Sequence, residues 1–209
     1  GMYDSINQKT GSWNYYWSNK KIKKKGNYKS GKKDSLWEYF YSDGKIQQKG
    51  NYKLDLPEGK WYWWYNNEKI KREEVYLQGK ENGIVIEYDS LGKILTKGQY
   101  NFGEREGDWF YIINDYEEKG KYISGMKTGF WETTFISTKK KKFEGEFLND
   151  IPLGEHKEYF SNGFVKQVGR FKNGEKHGDW KKYNNKGELI VTYLFKNGEE
   201  IKRDGLKIK

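Results

Sequence analysis

The stretch Ser35–Tyr52, SLWEYFYSDGKIQQKGNY, is copied with variation about eight times along the chain, and its reading decides the fold. Asp43-Gly44 is a strong hairpin signal. A two-residue type I′ turn needs φ > 0 at both central positions, which Asn, Asp and Gly tolerate best. Folding about it sets Trp37 opposite Gly50, Tyr39 opposite Gln48 and Tyr41 opposite Ile46. Side chains alternate along a strand, so Trp37, Tyr39, Tyr41, Ile46 and Tyr52 share an apolar face. Glu38, Phe40, Ser42, Lys45, Gln47 and Lys49 share a wet one. One dry face and one wet face mark an antiparallel sheet buried on a single side.

Working outward, a landmark residue recurs as Trp13, Trp37, Trp61, Val85, Trp109, Trp131, His156 and Trp180, at steps of 24, 24, 24, 24, 22, 25 and 24 residues. Such a fixed period predicts a repeat architecture. Two residues before each landmark stands a glycine, or Ser35, suited to a tight connection into the strand. Late in each unit comes an aromatic, from Tyr28 to Phe195, and two residues before it a glycine in six units; Glu74 and Tyr193 depart. In the hairpin reading that glycine lies opposite the landmark of its own unit, with the ring over it. The connections carry Gly31, Gly79, Gly103, Gly125, Gly174 and Gly198. Asp55 and Asp150 replace glycine just before the only prolines, Pro57 and Pro152, where a proline-set turn is expected.

The expected fold class is therefore all-β: an elongated, single-layer antiparallel meander of about eight two-strand repeats. Residues 1–10 read as a lead-in, 11–198 as one repeat domain and 199–209 as a cap or frayed tail.

Composition agrees with a thin sheet. Of 209 residues, 34% are hydrophobic, and aromatics, at 18%, supply more than half of these, so apolar area must come from rows of Trp and Tyr rather than from an aliphatic interior. Mean hydropathy is −1.15, but disordered chains are poor in aromatics, so the chain is expected to fold. There is no cysteine, which excludes disulfides and thiolate metal sites. No apolar run approaches a membrane span or a signal-peptide core. Gly1 before Met2 reads as a tag remnant. A natural start at Met2 implies a cytoplasmic protein, and a trimmed signal peptide an extracytoplasmic one.

The net charge of +10 is concentrated at the ends: residues 1–57 hold twelve basic and five acidic side chains, and residues 154–209 thirteen and eight. Two readings stand, attraction to phosphate or anionic lipid and lysines that keep sheet edges from aggregating. Only four of the 40 basic residues are arginine, the residue suited to forked phosphate and base recognition, which argues against nucleic acid.

The motif G-x-W-x-x-Y-Y, an N-G or D-G turn, an Ile, then G-x-Y-x-x-G resembles the MORN repeat in its bacterial variant; the stretch from Ser161-Asn162-Gly163 to Gly178-Asp179-Trp180 carries it closely. The resemblance spans about Gly11 to Gly198. It implies hairpin sheets that serve as non-catalytic binding or scaffolding modules, and bacterial proteins of this variant look like antitoxin components of toxin–antitoxin pairs. The eukaryotic form, linked to phospholipid binding, has G-x-G where this chain has Gly59-Lys60-Trp61.

No catalytic, cofactor-binding or metal-binding set is read. His156 stands at a landmark position and is expected to pack in the aromatic row; His177 falls in a loop. Glu87 and Asp89 are expected on the aromatic face as two neighbouring carboxylates, and Lys139–Lys142 as an irregular, solvated hairpin. The candidate partner-binding residues lie on the wet face, three after the landmark: Tyr16, Phe40, Trp64, Tyr88, Tyr159 and Tyr183, with Ile112 and Thr134 as the non-aromatic members. Either these rings form a ladder that binds a protein, such as a toxin, or a glycan, or inter-repeat loops cover them. The expected function is a protein-interaction scaffold; the alternatives are glycan or cell-wall binding through the aromatic rows and anionic-lipid binding through the basic ends.

Overall fold

The computed structural model describes residues 1–207 and is all-β, with twenty strands and no helix among these residues. It divides into two compact units, residues 1–104 and 105–209. The first unit holds β1 (Met2–Tyr3), β2 (Lys9–Tyr16), β3 (Ile22–Lys29), β4 (Lys32–Phe40), β5 (Ile46–Lys53), β6 (Leu56–Trp64), β7 (Ile70–Leu77), β8 (Lys80–Glu81), β9 (Gly83–Tyr88) and β10 (Ile94–Asn101). The second holds β11 (Glu104–Ile113), β12 (Tyr116–Ile123), β13 (Met126–Phe135), β14 (Lys141–Leu148), β15 (Ile151–Tyr159), β16 (Val165–Lys172), β17 (Glu175–Tyr183), β18 (Leu189–Lys196), β19 (Glu199–Arg203) and β20 (Leu206–Lys207). Within each unit successive strands pair antiparallel as a meander, β8 being a short step between β7 and β9.

The hairpin register holds as far as Trp37↔Gly50 and Tyr39↔Gln48, then shifts: Phe40, not Tyr41, pairs with Ile46. The cause is the turn. Gly44 has φ 97°, but Asp43 does not share a positive φ. Gly44 N–H donates to Tyr41 O, Tyr41 N–H to Lys45 O, and Asp43 Oδ1 accepts Lys45 N–H at 3.0 Å. This is a three-residue loop with a bulge, so the expected type I′ turn at Asp43-Gly44 is not the one formed. Two consecutive positive-φ residues occur instead at the inter-repeat connections, such as Ser30 (48°) and Gly31 (74°) between Lys29 and Lys32. Asp55 and Asp150 take the glycine's place there at φ 73° and 65°, and Pro57 and Pro152 lie in the following strands rather than in the turn. Ser35 and its glycine counterparts likewise sit at positive φ inside the strands, at bulges, not at the connections.

The irregular steps follow from the same turns. In the hairpin of β11 and β12, Ile113 pairs with Tyr116 across a two-residue loop without a bulge, which shortens that unit. In the hairpin of β13 and β14, Phe135 N–H donates to Lys140 O across a longer loop, with Lys139 at φ 58°. There the lysine run is partly engaged: Lys142 Nζ stands 3.3 Å from the Tyr116 ring, and Lys140 Nζ donates to Asn162 O.

The core lies on the landmark face, where Trp37, Trp61, Val85, Trp109, Trp131 and Trp180 are buried and His156 with them. Trp37, Trp61, Trp131, His156 and Trp180 each cover the glycine of the preceding repeat, not that of their own hairpin: a β-carbon on Gly26 would fall 2.3 Å from Trp37, and one on Gly50 2.1 Å from Trp61. The indole then donates one residue further on, Trp37 to Asn27 O at 3.0 Å and Trp61 to Asn51 O at 3.1 Å. His156 keeps this geometry, its Nε2–H donating to Glu146 O at 2.8 Å with Phe171 edge-on at 4.8 Å. In the lead-in, Met2–Tyr3 pairs with Lys9–Thr10, and Tyr3 meets Trp13 edge-on at 5.1 Å. At the other end β19 and β20 continue the pairing, while residues 208 and 209 of the expected tail lie outside the described residues.

Candidate interaction surfaces

The wet-face rings are placed by the strands that carry them. Tyr16 is 58% exposed; Phe40, Trp64, Tyr88, Tyr159 and Tyr183 are half-buried. Four of them meet one position of the preceding repeat, and the residue there matches the ring. Lys25 Nζ stands 5.5 Å from the Phe40 ring and Lys49 Nζ 5.5 Å from Trp64. Under the tyrosines the position is a carboxylate: Tyr88 OH donates to Glu73 at 2.7 Å and Tyr159 OH to Glu144 at 2.5 Å. At these four sites Phe40 and Trp64 have a cation near the ring, and the two phenols have an acceptor for their hydroxyl. Burial and the Glu73 carboxylate push the Tyr88 hydroxyl up to about 12. Phe40, Trp64, Tyr88 and Tyr159 are thus each held by a contact between repeats.

What the sequence reading missed is the context of Trp64 and Tyr88. On the wet face of the first two repeats the strand positions are mostly polar: Ser12, Asn14, Lys25, Asn27, Lys29, then Glu38, Lys49, Asn51 and Lys53. In β6, β7 and β9 several of the equivalent positions turn apolar, as Tyr62 and Ile86 where Asn14 and Glu38 stood and Val75 and Leu77 where Asn27, Asn51, Lys29 and Lys53 stood, while Lys60 and Glu73 remain polar; Trp64, Ile84 and Tyr88 complete the patch. They adjoin through the registers Lys60↔Val75, Tyr62↔Glu73 and Glu73↔Ile86, with Tyr62 and Trp64 at 5.9 Å. Ile84 is 55% exposed. The signal was present in the sequence as Val75 and Leu77 at two positions that the first two repeats fill with Asn and Lys.

On the landmark face Glu87 and Asp89 part company. Asp89 Oδ1 accepts Leu91 N–H and Lys93 N–H and caps its turn, so the two carboxylates are not a pair. Glu87 instead joins a charged cluster that fills the irregular landmark. Val85 is too short to reach over the preceding repeat, and the glycine expected there is Glu74, which is 3% exposed. Arg72 donates to Glu74 at 2.6 Å and to Glu87 at 2.7 Å, and Tyr76 OH donates to Glu74 at 2.9 Å. Burial alone would lower the Arg72 guanidinium, but Glu74 and Glu87 more than reverse this and hold it above its ordinary value. With both Glu74 oxygens engaged, the buried charge is paired and the cluster substitutes for a tryptophan.

A third set of contacts ties the turns together. Asn19, Asn67 and Asn162 each accept a backbone N–H of their own turn at Oδ1, and through Nδ2 donate to a carbonyl of the next turn at 2.8, 2.8 and 2.6 Å. Tyr41 OH and Tyr65 OH do the same to Trp64 O and Tyr88 O, both at 2.7 Å.

Among the described residues no group of three His, Cys, Asp or Glu side chains is placed to hold a metal ion, and no helix is long and apolar enough to cross a membrane. No curated protein matches the chain. Residues 9–30, 33–54, 57–78 and 176–197 each match the family described as the MORN repeat variant. Each match takes in a landmark strand, its bulged turn and the returning strand, with Glu74 and Tyr193 in place of the glycine in the last two, so the chain carries MORN repeats of the variant type in these four stretches.

Proposed function

We propose that this chain is a non-catalytic protein-binding module whose contact surface is the wet face of the third and fourth repeats. MORN repeats generally serve in protein or membrane-lipid binding. The observation that carries the protein reading is the apolar patch of Tyr62, Val75, Leu77, Ile84 and Ile86 around Trp64 and Tyr88, in which Tyr62, Val75, Leu77 and Ile86 stand where the first two repeats are polar. An apolar centre with a charged rim is the anatomy of a protein interface. Lys25, Lys49, Lys53, Lys60 and Lys97 supply the rim on that face, so the partner is a protein with an apolar patch bordered by acidic residues. Tyr16 and Phe40 flank this surface, and Tyr159 and Tyr183 belong to the second unit.

The test is Ile84→Asp, a surface change that the fold should tolerate, compared with Tyr16→Ser. Binding of the purified partner should fall at least tenfold with Ile84→Asp, change little with Tyr16→Ser, and weaken with salt. Equal loss in both variants, or binding only to vesicles of anionic lipid, would refute the reading. The finer reading, an antitoxin-type role with a toxin as the bound protein, rests on the family resemblance. Its test is whether co-production of this chain, but not of its Ile84→Asp variant, restores growth to cells producing the neighbouring gene product.

A further inference from the structure

Four residues before the landmark, the chain reads Lys9, Lys33, Pro57, Glu81, Arg105, Lys127, Pro152 and Lys176. Wherever this residue is basic it lies on the aromatic row of its own repeat. Lys9 Nζ is 4.7 Å from the Trp13 ring and 5.2 Å from Tyr28; Lys33 Nζ is 5.0 Å from Trp37 and 4.6 Å from Tyr52. Arg105 lies 5.5 Å from Trp109 and 5.0 Å from Tyr122, Lys127 3.9 Å from Trp131, and Lys176 4.5 Å from Trp180 and 5.1 Å from Phe195. Each of the three lysines Lys9, Lys33 and Lys127 also donates to an acceptor on that face: Tyr15 OH, Tyr39 OH and Glu118, all at 2.9 Å. The repeat thus contains a built cation site, an aromatic floor with one acceptor, filled by the chain's own ammonium group.

In the seventh repeat the site remains and its cation is gone. Pro152 stands where the lysine would be, and His156, smaller than tryptophan, widens the space. A cavity of about 340 Å³ opens there, lined by Phe143, Phe147, His156, Phe171 and Trp180. Glu158 borders it at the position that Tyr15 and Tyr39 occupy in the first two repeats, and Gln167 adds a second acceptor. Glu158 is half-exposed and its contact with Lys166, at 3.5 Å, is loose. Lys176 also borders the cavity but is engaged with Trp180 and Phe195. Cations one repeat apart are the rule on this face: Lys9 and Lys33 stand on Tyr28 and Trp37, whose rings touch at 5.0 Å.

We propose that the cavity at Pro152 and His156 binds an organic ammonium group, in the place that a lysine of the chain occupies in other repeats. The aromatic faces contribute cation–π attraction and Glu158 the counter-charge. This site is independent of the protein-binding surface proposed above.

The experiment titrates the full chain with n-butylammonium, with tetramethylammonium and with sodium acetate at constant ionic strength, following the Trp180 indole N–H and the His156 ring by NMR. Both ammonium probes are expected to shift these resonances saturably and acetate is not. A preference for n-butylammonium identifies a lysine-type side chain as the natural source, and a preference for tetramethylammonium a trimethylated head group. Pro152→Lys should supply an internal cation, raise the melting temperature and weaken either probe at least tenfold; Glu158→Gln should weaken both and leave the fold intact. Absence of saturable shifts, an equal response to acetate, or undiminished binding in a folded Pro152→Lys protein overturns the proposal. If Pro152→Lys does not fold, Glu158→Gln decides, since unchanged affinity there overturns it as well.

Discussion

Trp37 lies flat over Gly26 of the preceding repeat, close enough that a β-carbon on Gly26 would fall 2.3 Å from the indole Cδ2. Ring and glycine are therefore one structural element divided between two repeats. Val85 and Glu74 obey the same rule in reverse: with no ring above it, the position under the landmark holds a side chain, and that side chain is buried. The exception supports the rule because both halves change together.

Val85→Trp alone should drive a ring into Glu74 and destabilise by about 1–3 kcal/mol, the usual cost of overpacking. Glu74→Gly alone leaves Arg72 with Glu87 as its remaining partner and opens a cavity. The double variant should recover much of the loss, with a coupling of about 1–3 kcal/mol, because it rebuilds the common ring-over-glycine pair. Chemical denaturation of the four proteins measures this, and additive losses would mean that the two positions are uncoupled.

Gly50→Ala should be far more damaging than a strand glycine normally is, since its β-carbon would sit 2.1 Å from the Trp61 ring. Trp61→Ala removes a buried ring and its bond to Asn51 O and should cost about 3–5 kcal/mol. Exposed Lys60→Ala, next in sequence but on the other face, should cost less than about 0.5 kcal/mol. Equal melting shifts for Trp61→Ala and Lys60→Ala would contradict the assignment of faces.

High pH should unfold the protein through its tyrosines. Burial first, then the neighbouring Tyr39 hydroxyl, pushes Tyr52 up to about 12, and burial with Glu73 pushes Tyr88 up to about 12. In the unfolded chain both titrate near the ordinary value of about 10. The folded state prefers the neutral phenols, so their contribution is full below pH about 10 and is lost as pH rises toward about 12. Melting temperature should hold to pH about 10 and then fall. Ultraviolet titration should reveal a late group of phenols; a single transition of all tyrosines near pH 10 in the folded protein would refute the shifts.

Asn67 makes two bonds of different kinds, accepting Lys69 N–H within its turn and donating to Ser90 O of the next at 2.8 Å. Asn67→Asp keeps the acceptor and loses the donor, so it should cost about 1 kcal/mol, and Asn67→Ala, which loses both, about 1–2 kcal/mol. If Asn67→Asp is neutral in urea melts, the bond between turns contributes nothing to stability.

The hydrophobic period, the alternation of Trp37, Tyr39 and Tyr52 with Glu38 and Lys49, and the G-x-aromatic spacing were enough to determine an all-β hairpin meander with its buried face, because these are local properties of a two-residue pleat. They also located the rings from Tyr16 to Tyr183 on the opposite face. The turn type was not legible. Asp43-Gly44 is compatible with both a two-residue and a three-residue loop, and only the continuous pairing of Phe40 with Ile46 selects the bulged form. Nor could periodicity say which ring covers which glycine, since Gly50 is a register partner of Trp37 in its own hairpin while its surface is covered by Trp61 of the next. The pairing of Lys49 with Trp64 and of Glu73 with Tyr88, the burial of Glu74 and the cavity beside His156 all arise between repeats. Such contacts depend on how one hairpin is stacked against another, and stacking is a property of the assembled sheet rather than of any single stretch of chain.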